Sequence, residues 1–162
     1  LHGIKLLGPQ IFSYSMSFYL VALFWLSNNQ QLKMCKYTNK NHILLVFLYM
    51  FFVSFIPLTT SLVGRYSDIS LAVILFHFNI LIVSIASFGS WLYISRSKII
   101  SQEIDATSIR YENTVRVYRI LVPVLGMVLC IWQPIYSYFV YMLMGVGVHI
   151  IQKKFSKSKE AL

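Results

Sequence analysis

The sequence predicts an all-α protein: a polytopic bundle of transmembrane helices, with about five spans. Three observations carry this. Of its 162 residues 57% are hydrophobic and only 12% charged, against roughly a quarter charged in an average soluble domain. Mean hydropathy is +0.67. Several apolar runs reach the roughly 20 residues that a helix needs to cross a hydrocarbon layer. A chain of this length has no soluble core large enough to hide so much Leu, Ile, Phe and Tyr. One compact transmembrane domain, 1–162, is therefore expected rather than several domains.

The first span is read over 6–26, with Pro9 near its start, where a missing N–H does little harm. The second runs over 43–63 and contains Pro57. Thr59, Thr60 and Ser61 follow this proline, so a kink is expected there, with hydroxyls able to satisfy the freed carbonyls. The third, 69–94, is the longest. A fourth over 115–132 and a fifth over 135–151 form a hairpin turned at Gln133-Pro134. A cytoplasmic connector is expected over 96–116, either solvated or an amphipathic extension of the third span. A cytoplasmic tail is expected over 152–162.

Charge placement orients these spans. Twelve of the fourteen Lys and Arg residues lie in three segments: after the first span, between the third and fourth, and in the tail. Only Lys5 and Arg65 remain for the other side. This asymmetry places the three segments and the C-terminus in the cytoplasm, and Leu1 outside. The same distribution accounts for the net charge of +9 without a nucleic-acid partner. An outside start without a signal-like n-region leads to the expectation of one further helix before Leu1.

Enzyme signatures are absent. The five acids, Asp68, Glu103, Asp105, Glu112 and Glu160, all fall outside the expected spans. His2, His42, His77 and His149 have no metal-ligand spacing, and Cys35 and Cys130 form neither a CxxC pair nor a disulfide argument. No P-loop, nucleophile elbow or HExxH occurs. Neither an enzyme nor a cofactor or resident metal is expected.

Polar residues inside the spans are uncharged. Ser13 and Ser17 share a face of the first. In the third, Asn79, Val83, Ala86 and Ser90 fall on a narrow arc, with His77 displaced from it. Such residues allow close helix packing with modest interhelical hydrogen bonds, or line a hydrated path. His77 and Asn79 are the leading polar candidates, because polar groups at membrane depth need partners. Trp25, Trp91 and the tyrosines suit interfacial anchoring.

Pro9-Gln10, Ser17-Phe18 and Phe24-Trp25-Leu26-Ser27-Asn28-Asn29 resemble the second helix of the transmembrane protein 175 family of potassium channels. The likeness continues through Leu48, Phe55-Ile56-Pro57, Thr60 and Leu62-Val63-Gly64. It reaches Phe76-His77-Phe78-Asn79 and Trp91-Leu92-Tyr93, covering roughly Leu7 to Arg96. The resemblance implies a bacterial-type single repeat of six helices, assembled as a homotetramer that passes K+ through a bilayer. It also implies that the helix ahead of Leu1 is the pore-lining one, bearing an Arg and a Phe-Ser-Asp signature. No pore or filter residue can then be assigned within this chain. Relatives commonly have His where Asn28 and Asn29 stand, and often an Asn near Val46. Trp25, Asn28, Asn29, Pro57, His77 and Asn79 become pore-supporting or packing candidates. The expected function is a K+-conducting channel subunit in a bacterial plasma membrane. The alternatives are a non-conducting scaffold or accessory protein, or a small transporter.

Overall fold

The computed structural model describes residues 2–66 and 68–160. Leu1 and the last two residues of the tail, which enter the topology expectation, lie outside them. The described residues form seven α-helices. These are α1 (His2–Lys33), α2 (Lys40–Ser54), α3 (Ile56–Arg65), α4 (Ser70–Arg96), α5 (Ala106–Cys130), α6 (Pro134–Ser137) and α7 (Met142–Glu160), with a 3₁₀ turn at Tyr138–Tyr141 between the last two.

Four stretches are long and apolar enough to cross a membrane: Ile11–Lys33, Lys40–Arg65, Ser70–Arg96 and Ala106–Cys130. Together they make the chain an integral membrane protein built as an all-α bundle. Basic residues occupy the last turns of α1, α3 and α4, at Lys33, Arg65 and Arg96, where they complement the helix dipole. Asn39 caps α2, its side chain accepting from the His42 backbone N–H at 2.9 Å and satisfying one of the orphan donors of a helix start.

The second span breaks into α2 and α3 at Phe55. Pro57 has no N–H to offer the carbonyl of Val53, and its ring crowds that turn. Thr60 Oγ1 donates to the carbonyls of Ile56 and Pro57 at 2.9 and 3.0 Å, and Thr59 Oγ1 to those of Ile56 and Phe55 at 3.1 and 3.2 Å. The hydroxyls after the proline thus turn back onto the loosened backbone.

Two features differ from the sequence reading. The connector expected over 96–116 is shorter: only 97–105 is non-helical, and α5 starts at Ala106 rather than near Val115. Glu112 and Arg116, one helical turn apart, neutralise each other at 3.1 Å, so the charged stretch can continue as a packed helix. The second difference lies in the segment expected as one span over 135–151. It is divided into α6, the 3₁₀ turn and the start of α7. The first two of these pieces are held by hydrogen bonds to α4, described below.

The main core joins α1 through α7. Leu20 and Phe24 meet Val53, Ile56, Phe76, Ile80 and Val83, closed off by Tyr138, Tyr141 and Met144. Glycines admit the aromatic rings: a Cβ at Gly145 would strike the Tyr19 hydroxyl, and one at Gly147 the Tyr118 ring. A second cluster of Trp91, Ile94 and Ile99, flanked by Met34, Cys35 and Ile109, lies at the basic end. There the backbones of two basic segments meet: Lys36 N donates to Ile99 O at 2.8 Å, and Ser101 N to Met34 O at 3.0 Å. The Tyr111–Phe155 ring contact brings the start of the tail to the same end of α5. All three basic segments therefore share one end of the bundle.

Candidate functional site

The polar face of α1 and the region after Pro57 come together. Ser13, Ser17, Thr60, Ser61, Gly64 and Arg65 line a groove of about 430 Å³, edged by Tyr14 and Pro57. Ser13 and Ser17 lie one turn apart on the buried side of α1, and the short α3 runs alongside. Ser17 Oγ donates to the Tyr14 carbonyl at 2.8 Å. With the Thr60 hydroxyl also turned to its own backbone, this hydroxyl-rich strip carries only Arg65 as a full charge.

Asn79 projects from α4 onto the break between α2 and α3. The amide fits best with its nitrogen donating to Phe52 O at 3.3 Å. Its oxygen then accepts from Ile56 N at 3.2 Å, with Thr59 Oγ1 3.3 Å away. In that orientation one side chain satisfies the Ile56 N–H at the break and adds a second donor to Phe52 O, which already accepts from Phe55 N at 3.2 Å. Pro57 and Asn79, 22 positions apart in sequence, thus form one structural unit.

His77 is fully buried and bonds at both ring nitrogens. Ser137 Oγ donates its only proton to the Pro134 carbonyl at 2.6 Å, so at 2.9 Å His77 Nε2–H is the donor to Ser137 Oγ. Nδ1 is then unprotonated and accepts from the Tyr141 hydroxyl at 2.7 Å, a tautomer fixed by the donor count. The Tyr141 ring stacks on the imidazole at 5.5 Å. A Cβ at Gly126 would lie 2.5 Å from His77 Cε1, so α5 leaves room for the ring by lacking a side chain there. His77 fastens α6 and the 3₁₀ turn to α4.

The remaining candidates divide by exposure. Trp25 is 55% exposed and points away from the bundle, while Asn28 is buried at 9% and Asn29 half-buried. Pro57 is exposed at the rim of the groove. The structure does not bring Trp25 together with His77 or Asn79.

A polar layer near the basic end escaped the sequence reading. Gln31 Nε2 donates to Ser90 Oγ at 2.7 Å and approaches His42 Nε2 at 3.4 Å. Tyr49 donates to Phe24 O at 2.6 Å, and Trp91 Nε1 to Asn113 Oδ1 at 2.7 Å. Arg116 donates from Nη1 to Ser87 Oγ and O at 2.7 and 3.2 Å, and from Nη2 to Glu112. Its guanidinium lies 5.1 Å from the Trp91 ring centroid, within cation–π range. The signal was present in the sequence: Glu112, Arg116 and Arg119 fall at helical spacing with Val115 and Val122, and all five are buried. Outside the spans, partial burial pushes the Cys35 thiol above its usual range. No group of three or more His, Cys, Asp or Glu fit to hold a metal occurs among the described residues.

Comparison with known proteins gives one match. Residues 1–57 match the model of the endosomal/lysosomal potassium channel TMEM175 family. No curated protein and no solved structure matches the chain. The matched stretch contains α1, with its Ser13–Ser17 face and Trp25 to Asn29, all of α2, and the break as far as Pro57. Over that stretch, about a third of its length, the chain is similar to the TMEM175 potassium channel family.

Proposed function

We propose that this chain is a subunit of a potassium-permeable channel that conducts K+ passively across a membrane. The observation that carries this is the family match over residues 1–57, on helices long and apolar enough to span a bilayer. The hydroxyl-lined groove between α1 and α3 gives the bundle a polar strip on which a further, pore-lining helix can seat. The resemblance puts that helix ahead of α1 and the assembly at four copies. Selectivity then arises from a hydrophobic constriction or from polar rings at close quarters. The shared basic end, with the tail, faces the cytoplasm by the positive-inside rule, in keeping with a bacterial plasma membrane. The role is transport, not catalysis, and needs no cofactor and no nucleic acid.

Two observations favour a second reading, a small transporter. The second span is broken at Phe55, and a buried ion pair joins Glu112 to Arg116. Discontinuous helices and intramembrane charges are the marks of such proteins. A potassium-flux assay on liposomes holding the complete protein separates the readings. A channel gives flux that rises in proportion to the K+ gradient without a coupling ion. Saturation at low K+ with a requirement for a second ion indicates the transporter, and no flux from an assembled oligomer leaves a scaffold.

A further inference from the structure

Where α1 ends and α2 begins, one buried nitrogen lacks a partner. His42 is fully buried and is the third residue of the span Lys40–Arg65. Gln31 Nε2 gives one hydrogen to Ser90 Oγ at 2.7 Å and turns the other toward His42 Nε2, 3.4 Å away. Nε2 is then the acceptor, and the ring proton sits on Nδ1. That Nδ1 is sealed from solvent and meets no acceptor among the described residues. A buried donor left unmatched is costly. His77, by contrast, has both ring nitrogens matched.

His42 stands on the wall of a cavity of about 210 Å³ between the end of α1 and the start of α2. Leu32, Ile43, Val46 and Phe47 make most of that wall apolar, and Thr38 adds a hydroxyl. Leu32, Ile43 and Phe47 are exposed, so the cavity opens on the lipid-facing surface rather than into the bundle. A lone water is held poorly in so apolar a space.

Depth indicates the chemistry of the missing acceptor. His42 lies two residues, about 3 Å of helix, inside the start of its span. Lys33 and Lys40 stand at the ends of the first and second spans, with Lys36 in the connector between them, and all three are exposed. This level is the boundary between headgroups and acyl chains, where the ester carbonyls of a phospholipid are the acceptors at hand.

We propose that this cavity holds an acyl chain of an ester-linked phospholipid, whose ester carbonyl accepts from His42 Nδ1–H. The apolar wall receives the chain, and the phosphate of the same lipid lies toward the three lysines. The site requires only that the chain is embedded in a bilayer. It is separate from the groove between α1 and α3 and independent of the channel reading.

Native mass spectrometry of the full-length protein in detergent, titrated with phosphatidylglycerol bearing ester-linked or ether-linked chains of equal length, tests the contact. The ether form lacks the carbonyl and keeps the headgroup. Wild type is expected to bind the ester form about fivefold more tightly, the worth of one hydrogen bond. His42→Phe should bring the two forms to equal affinity. Val46→Phe, which fills the cavity and leaves the imidazole in place, should weaken the ester form and carries the test if the His42 variant does not fold. Equal wild-type affinity for the two forms overturns the proposal and leaves the Nδ1 donor to water. An ester preference that survives His42→Phe overturns it too, as does a Val46→Phe protein that binds the ester form like wild type.

Discussion

Two buried polar clusters lean on α4 at different levels, and they solve the same problem unequally. Around His77, one imidazole, two hydroxyls and a backbone carbonyl form a neutral chain in which every donor has an acceptor. Around Arg116, two cations face one carboxylate, and three donor nitrogens are left over. Neutral polar groups can close a network with the few partners that a bundle offers. Charged groups on one helix face cannot, unless their numbers match. The first cluster acts as a fastener for α6 and the 3₁₀ turn, whereas the second leaves Arg116 Nε and two nitrogens of Arg119 without acceptors.

The comparison can be broken first at its charged side. Glu112→Gln leaves two buried guanidinium groups without a counter-ion and should destabilise the bundle by about 3–5 kcal/mol, measured by chemical unfolding in mixed micelles. A loss below about 1 kcal/mol would mean that water already solvates the layer. At the neutral side, Gly126→Ala drives a methyl group into the His77 ring and should cost about 1–3 kcal/mol. Combining it with His77→Ala should cost less than the two single changes added together, since removing the ring removes the clash and the added methyl fills part of the space left. Additive losses would remove the contact as the cause.

Asn79→Leu tests whether the α2–α3 break needs its buttress. It strands Ile56 N, while Phe52 O keeps the Phe55 N–H, and a loss of about 1–3 kcal/mol is expected. Tyr141→Phe removes a single hydrogen bond to His77 and should cost about 0.6 kcal/mol, the average for interhelical bonds in a membrane. Trp25→Ala lies outside both clusters and should change subunit stability by no more than about 0.5 kcal/mol. A larger effect on the size of the assembled oligomer, read by native mass spectrometry, would make the exposed Trp25 face a contact between copies.

The three apolar runs that became α1, α2–α3 and α4 were legible because lipid-facing residues dominate them. Ile11, Phe18, Phe47, Phe51, Leu71 and Phe78 are all exposed, and no soluble pattern would place them so. The kink at Pro57 was legible because proline acts through its own covalent structure. By contrast, α5 differs from the expected span over its first nine residues. A window that averages Arg110, Glu112, Arg116 and Arg119 as polarity misses that three of the four lie on the buried face with Val115 and Val122. The segment after Pro134 was illegible for another reason. Its conformation depends on His77, 60 residues earlier than Ser137, and local sequence holds no record of so remote a partner. In the candidate site, Asn79 and Pro57 could each be picked out as polar or helix-breaking, but their contact belongs to the tertiary structure alone.

The two backbone hydrogen bonds joining residues 34–36 to 99–101 have a mechanical consequence. They tie the chain just beyond α1 to the chain just beyond α4, so that sliding either helix at the basic end must break or carry this bridge. Since α4 also holds the 3₁₀ turn through His77 and the α2–α3 break through Asn79, it is the strut onto which the other pieces are fastened.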